Sequence, residues 1–423
     1  MHMTRVTGGC GCDSAASSTQ MMSVADALAC ALAQVTRAPQ TRTIPLVDAA
    51  GRTTASPVMA PTAMPFFDNS AMDGFALRMA DLDGRCCLPV AGTVAAGDAP
   101  RDLPHGAALR IFTGAPLPMG ADAVVMIEAC VDKIDKIHIN RPPAQGENIR
   151  RAGSDQAAGQ ELLPAGTRIA AHHIGLLAAN GVTHIDIARP PRVAVFSTGD
   201  ELCSGPRAAG QIPDANRPML LALARLAGAE VSDLGILPDD AGATAAALRD
   251  ACGHFDLIVS SGAVSMGGKD HIRAAVTAAG GTVEGWRVAL KPGKPVMFGT
   301  LGDAAFTGLP GNPFAVYVGF HMFVLPQIAR LLGAAPAAFA PVPAIAGFDW
   351  TRKPGRAEVF PVRLASYDRA GLPVLLRLGQ SVSATLLPLS GADGLAIVPP
   401  DAVHIEPGAP LFWRPFCNTG DLT

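Results

Sequence analysis

The sequence predicts a multidomain α/β-plus-β protein, with a doubly wound α/β domain over 191–335 set among smaller β-rich pieces. Three observations lead there. The chain has 423 residues, more than one ordinary domain of about 100–200 residues. Apolar β-type runs alternate with helical spacing from 191 to 335, the grammar of a mostly parallel sheet covered by helices. Outside that stretch, short β-type runs are separated by Gly and Pro, which number 45 and 36 and punctuate turns.

Residues 1–20 are rich in Gly, Ser and Ala and read as a disordered tail. They hold Cys10 and Cys12, and they lack the apolar stretch of a secretory signal. Residues 22–38 carry helical spacing: Ala25, Leu28, Leu32 and Val35 can share a face, and Ser23 and Asp26 stand near the start. A short strand and turn come next over 43–60. From 65 to 148, β-type runs at 88–90, 108–112, 123–127 and 134–139 predict a small β-rich domain. Helix and turn signals return over 149–189, where 169–177 leads into Asn180 and Gly181, a helix stop.

In the α/β stretch, strands are predicted at 192–196, 230–236, 255–260, 286–290 and 306–308, and helices at 217–227, 241–251 and 270–279. The run PFAVYVGFHMFVL (313–325) reads as a buried helix ended by Pro326, short of the roughly 18–20 residues of a membrane span. Residues 338–418 are Pro-rich, with runs at 358–364, 374–378 and 395–398, and predict a small β-barrel or sandwich.

The formal net charge of -3 argues against a charge-driven nucleic-acid binder. Nine scattered cysteines without metal-ligand spacing indicate free thiols in a reducing compartment, hence a cytoplasmic protein.

Ligands of an open α/β sheet bind beyond the carboxyl ends of its strands, so the residues just after each strand carry the chemistry. After 193–196 comes Ser197-Thr198-Gly199-Asp200-Glu201. After 257–260 comes SGAVSMGGKD (261–270), a Gly/Ser-rich loop running into a helix. Its free amides suit a phosphate, although the P-loop spacing is not there. Lys291 and Lys294 are stiffened by prolines in KPGKP, and a rigid LPGNP turn (309–313) opens a helix. Gly-rich turns, stiff lysines and isolated acids suit a phosphorylated anion with a divalent cation. In the β-rich part, FDNSAMDGFA (67–76) places two acids, an Asn and a Ser between aromatic residues. Asp68, Asn69 and Ser70 are expected to shape the turn. Asp73 is expected to face a ligand, with Gly74 letting the backbone approach it.

Taken as a set, FDNSAMDGFA (67–76), IFTGAPLPMGADAVVMIE (111–128), GENIRRAGSD (146–155), VAVFSTGDEL (193–202), SSGAVSMGGKD (260–270), ALKPGKP (289–295) and GLPGNP (308–313) resemble the molybdopterin molybdenumtransferase family in motif and order. The resemblance spans about 21–415. It implies a discontinuous linker domain from 21–60 and 149–190, an inserted β-rich domain at 61–148, an α/β domain at 191–335 similar to molybdopterin adenylyltransferase, and a C-terminal β-barrel at 338–418. It implies insertion of molybdate into adenylylated molybdopterin with Mg²⁺-assisted release of AMP. The site would lie at a homodimer interface, with one subunit's β-rich domain facing its partner's α/β domain. Exchange with the molybdopterin adenylyltransferase and with molybdoenzyme chaperones is implied, and neither nucleic acid nor membrane is.

Carried over by motif, the catalytic residues are Asp73, Asp155, Glu201, Asp270 and Lys291. Thr113, Arg150, Ser261, Gly262, Ser265, Gly267, Arg287, Lys294, Pro310 and Ser383 would bind substrate. Glu201, Asp239, Asp240 and Asp270 would hold the metal. The chain departs from the family pattern at Phe75, where Tyr is usual, at Gly268, where an acid is common, at Arg287 for Lys, and over 381–384. A non-catalytic scaffold with the same fold would have no need to keep Asp73, Arg150, Glu201, Asp270, Lys291 and Lys294 together. Tungstate in place of molybdate stays open, the two oxyanions being alike in size and charge.

Overall fold

The computed structural model describes residues 21–82, 84, 86–262, 271–336, 339, 342–379 and 383–416. The described residues form two compact units: Thr41–Ile187, and 21–40 together with those described from 188 to 416.

The α/β part of the larger unit contains β1 (Arg192–Thr198), α1 (Asn216–Leu226), β2 (Glu230–Leu237), α2 (Ala241–Ala251), β3 (Leu257–Ser261), α3 (His271–Ala278), β4 (Thr282–Arg287), β5 (Pro295–Leu301) and β6 (Ala304–Leu309). The sheet order is β2-β1-β3-β6-β5-β4. The first four strands are parallel, and β5 and β4 complete the sheet antiparallel. Successive residues of β1 serve opposite faces. Val193 and Val195 pack with Leu220 and Ala224 of α1, whereas Ala194 and Phe196 pack with Leu248 of α2 and Ile272 and Val276 of α3. Helices cover both faces, which is why these strands read as unbroken apolar runs.

The apolar helix α4 (Pro313–Leu331) differs from expectation. Pro326 does not end it; the helix continues to Leu331. Proline lacks an N–H and crowds the carbonyl one turn back. Residues Phe320–Val324 widen into a π-helical turn just before it, which gives that ring room. At 19 residues α4 is long and apolar enough to cross a membrane by composition, but its apolar window is 72% buried inside the protein. Val316, Phe320 and Val324 join one core and Phe314, Val318 and Phe323 another.

Helix Val24–Ala33 is capped by Ser23, whose hydroxyl accepts the Asp26 N–H. Its buried face is Ala27 and Ala31, with Val35 beyond it, while Ala25 is exposed. The helix packs on Val288, Leu290 and Phe323, and Gln327 donates to the Ala31 carbonyl at 2.9 Å. Arg37 pairs with the buried Asp256. The expected grouping of 21–60 with 149–190 therefore divides at Gln40, and 21–40 belongs with the α/β part.

The C-terminal region resolves the barrel-or-sandwich alternative. Strands β7 (Val342–Ala346), β8 (Ala357–Tyr367), β9 (Pro373–Arg377), β10 (Gly394–Val398) and β11 (Pro410–Pro415) run β8-β9-β7-β11-β10, and β10 pairs back to β8. The five strands close a barrel, which removes their edges. The two-residue strand Leu290–Lys291 adds to β8 in parallel.

The smaller unit contains a six-stranded sheet in the order Ala123–Met126, Gly74–Leu77, Ala108–Ile111, Cys87–Val94, Lys136–Ile139, Cys130–Asp132. Ile44, Leu46 and Ala49 share a second core with Leu163, Ile169, Leu177 and Ile185, so chain from both sides of the β-rich insertion joins there. Helix Ala171–Ala179 ends at Asn180, with Gly181 next at φ +73°, the stop expected from the sequence.

Candidate functional site

In the larger unit, three backbone segments converge at the carboxyl end of the sheet. Gly262 donates its N–H to the Leu309 carbonyl at 3.2 Å. A Cβ on Gly262 would stand 2.4 Å from the Thr198 carbonyl oxygen, and its φ is +95°. Only glycine fits there. A Cβ on Gly311 would lie 3.8 Å from the Gly262 Cα. Asn216, at the start of α1, ties these ends together: its Nδ2 donates to Ser261 Oγ at 2.8 Å and to the Gly311 carbonyl at 2.7 Å. Asp214, its side chain 2% exposed, accepts from Ser197 Oγ at 3.2 Å, from the Asn216 and Arg217 amides, and from Arg217 Nε at 3.0 Å. Thr198 Oγ1, Ser260 Oγ and Asn216 Oδ1 are buried without a hydrogen-bond partner among the described residues. Such orphaned groups call for a ligand or water.

Carboxylates rim this edge. Glu201 is exposed, and its two oxygens lie across Gly199, where a Cβ would come within 2.6 and 2.7 Å of them. The Asp239 amide donates to Asp200 Oδ1 at 3.2 Å, and Asp239 Oδ1 stands 3.8 Å from His271 Nε2. Asp240 Oδ1 caps α2 by accepting the Ala243 N–H at 2.7 Å, so its first employment is structural. No group of three or more His, Cys, Asp or Glu side chains gathers as a metal cage among the described residues. Ser265, Gly267 and Asp270, with Gly268, lie outside the described residues.

The cations come from the other side of the sheet. Met297 of β5 pairs with Gly308 of β6, and Arg287 of β4 with Pro295, so Arg287 and the KPGKP loop emerge at the same end as Gly311. A Cβ on Gly293 would lie 3.8 Å from the Ala315 carbonyl, which puts the loop beside the first turn of α4. Lys294 makes no side-chain hydrogen bond or ion pair with another described residue, whereas Lys291 Nζ lies 3.1 Å from the buried Glu358 Oε1 of the barrel. Pro310 is buried. Ser383 reaches this end too: its carbonyl accepts the Phe314 N–H at 3.0 Å, and its hydroxyl accepts from Asn312 Nδ2 at 3.1 Å.

In the smaller unit, Asp73 accepts the Thr113 amide at 2.7 Å and its hydroxyl at 2.9 Å. These two bonds, the amide first, hold the exposed Asp73 carboxyl below its ordinary range. The Gly114 N–H donates to the Ser70 carbonyl at 2.8 Å, and Arg150 pairs with Asn69 in a two-stranded ladder. The FDNSAMDGFA, TGAP and GENIRRAGSD segments thus pack into one region, where Asp73, Thr113, Arg150 and Asp155 are all exposed. Asp68 accepts the Ala152 N–H at 2.8 Å and pairs with Arg151 at 2.6 Å. Ser70 Oγ donates to the Met72 carbonyl at 2.6 Å. Both shape the loop as expected. Gly74 does not serve a ligand: it is buried mid-sheet, and a Cβ there would stand 2.0 Å from the Val125 carbonyl oxygen. Its smallness serves strand packing.

Sequence reasoning missed Asp214, Asn216, Arg352 and Glu358. Asp214 stands two residues before α1 and Asn216 opens it, positions that belong to none of the motifs. The last two lie in a region read for strands and, by resemblance, for Ser383 and its neighbours.

Three family profiles match the chain: the MoeA N-terminal region (domain I and II) over 22–181, a probable molybdopterin binding domain over 194–330, and the MoeA C-terminal region (domain IV) over 343–416. A molybdopterin molybdenumtransferase 2 of Mycobacterium tuberculosis is 36% identical over 395 residues, covering 90% of this chain and 96% of the relative. The chain belongs to the molybdopterin molybdenumtransferase family. The family's enzyme from Haemophilus influenzae is 40% identical over 298 residues, 70% of this chain and 74% of its own. Among solved structures, a molybdopterin biosynthesis MoeA protein from Pyrococcus horikoshii superposes with a TM-score of 0.80 at 27% identity, over 94% of this chain and 100% of that one. Membership in this molybdenumtransferase family places the protein in molybdenum-cofactor biosynthesis.

Proposed function

We propose that this protein inserts molybdate into adenylylated molybdopterin and releases AMP in a Mg²⁺-dependent step. The carrying observation is the convergence of Gly199, Gly262 and Gly311 at the sheet end where Arg287 and the KPGKP loop also emerge. The glycines give a phosphoanhydride close access to backbone amides and to the N-termini of α1 and α4. Arg287, Lys291 and Lys294 offset its charge. Ser383 brings the barrel to the same ligand.

Mg²⁺ is ordinarily held by one or two carboxylates together with substrate phosphates rather than by a full protein cage. The exposed Glu201 and Asp239 fit that requirement, and the family motif carries Asp270 to the same role. When bound, the ion would polarise the phosphoanhydride toward attack by water. Hydrolysis returns AMP, while two Mo–S bonds form at the dithiolene and molybdate gives up oxygen as water.

Asp73, Thr113, Arg150 and Asp155 would come from the partner subunit of a homodimer, placed over the dithiolene end. Phe66, Phe67 and Met119 near that region are 59%, 45% and 60% exposed, a surface suited to burial against a second copy. Arg150 would hold the incoming oxyanion, and Asp73, kept ionised by Thr113, would position the protons that leave with its oxygen as water. The free cysteines fit work in the cytoplasm.

The test mixes purified protein with adenylylated molybdopterin, Mg²⁺ and molybdate and tracks AMP. Molybdate-dependent AMP release that stops on chelation of Mg²⁺ and returns on its addition is expected. AMP release that ignores molybdate would overturn the reading. Sedimentation at micromolar concentration should give a dimer.

A further inference from the structure

We propose that Glu358, clamped by Arg352, is a positioning residue that sets where the Lys291 ammonium stands. The proposal rests on the reading in which Lys291 meets a substrate anion. Leu290–Lys291 joins the barrel as a parallel strand, with Lys291 opposite Glu358. The lysine loop is therefore registered on the barrel by backbone before any side chain acts.

The side chains then form a graded series. Arg352 and Glu358 are each 2% exposed, whereas Lys291 is 41% exposed. Arg352 is fully engaged: Nε meets Glu358 Oε2 at 3.2 Å, Nη1 donates to the Pro399 and Ala402 carbonyls, and Nη2 donates to the Arg356 carbonyl. It therefore cannot move without breaking the loops it ties. It already balances the Glu358 charge. The remaining oxygen, Oε1, makes no geometrically sound hydrogen bond and stands 3.1 Å from Lys291 Nζ.

The three groups sum to one net positive charge, which resides on the only exposed member. A buried ion pair of Arg and Glu needs no second cation. A lysine on a flexible four-carbon stem does need an anchor if its ammonium is to wait in one place. Glu358 supplies that anchor without consuming the charge, which leaves the ammonium's outer side for a substrate oxyanion. The barrel thereby contributes to the chemistry of the α/β edge through Lys291 as well as through Ser383.

The experiment compares wild type, Glu358→Gln, Lys291→Met and the double variant for kcat/KM in molybdate-dependent AMP release, with amine labelling of Lys291 read by mass spectrometry. Lys294 serves as internal reference. Glu358→Gln keeps the Arg352 contact and removes the charge. It should lower kcat/KM about tenfold in wild type and less than twofold in the Lys291→Met background, and it should speed labelling of Lys291 severalfold relative to Lys294. Equal losses in both backgrounds, or an unchanged labelling ratio, would overturn the proposal. If Glu358→Gln fails to fold, Glu358→Asp, which withdraws the carboxylate by one methylene, takes its place. Wild type without molybdate-dependent AMP release would defeat the functional reading instead, and the labelling ratio would still decide whether Glu358 holds Lys291.

Discussion

Asp73 takes two hydrogen bonds from a single residue, Thr113, one from the amide at 2.7 Å and one from the hydroxyl at 2.9 Å. The carboxylate therefore shapes the TGAP turn and presents its other oxygen to solvent. An Asn at 73 can accept the same two bonds through Oδ1 but carries no charge. Asp73→Asn should lower the melting temperature by less than about 2 °C and lower turnover about a hundredfold, the scale of a lost proton-transfer group. A variant that unfolds instead makes Asp73 structural. The same bonds set a pH sign. A depressed carboxyl pKa keeps its stabilising contribution above the ordinary carboxylate value and loses it only as pH falls through the lower, folded value. The acid limb of the rate due to Asp73 should thus lie below the usual carboxylate range.

Gly262 and Gly253 share a positive φ, +95° and +79°, but only Gly262 has a backbone oxygen in the way of a side chain. Gly253→Ala should cost about 1 kcal/mol, the strain alone. Gly262→Ala should cost roughly 2–5 kcal/mol because overpacking adds to the strain. Denaturant titration of the two variants tests the difference.

His321 lies in the π-helical turn of α4, and both its ring nitrogens are without a partner among the described residues. Burial first, and the neighbouring Arg414 charge second, push it down to about 3. The unfolded chain binds its proton near pH 6.5 and the folded chain does not. Stability is therefore full above about 6.5 and falls as pH drops toward the folded value, at up to ~1 kcal/mol per pH unit. His321→Phe should flatten the melting temperature between pH 7 and pH 5. An unchanged slope would mean that the folded protein takes up that proton.

Arg352→Met should be among the most damaging single changes, at about 3–5 kcal/mol, because it removes the one buried cation bonded to Glu358 and leaves the half-exposed Lys291 and the more distant charge of Arg377 to offset it. Differential scanning calorimetry reads it directly. Replacing Arg352 and Glu358 together by apolar residues should recover much of the loss while leaving Lys291 unanchored.

Much of the fold was legible because burial writes periodicity into sequence. The α2 helix was expected over 241–251 and occupies Ala241–Ala251, and the strand ends fell within a residue or two at β1, β2 and β3. Helix Val24–Ala33 shows where that signal fails. Nearly all its residues are apolar, so several faces score alike. Packing selected Ala27 and Ala31, whose small side chains let the helix close on Val288 and Phe323. Pro326 misled for a related reason. A proline rule describes an α-helix, and the π-helical turn before it relaxes the clash that the rule assumes.

The sequence by itself determined the alternation of strands and helices, the motif set and the residue types that phosphate, oxyanion and cation require. Only the tertiary structure decided which of those residues are spent on the fold. Gly74 went to a strand contact with Val125 and Asp240 to the cap of α2. It also brought in Asn216, Arg352 and Glu358, which carry no motif. The physical reason is range. Propensity and periodicity act between neighbours in the chain, whereas the bond from Asn216 to Gly311 and the pairing of Lys291 with Glu358 join residues 95 and 67 positions apart. Their strength depends on a few ångströms of separation that only the packed strands and barrel supply.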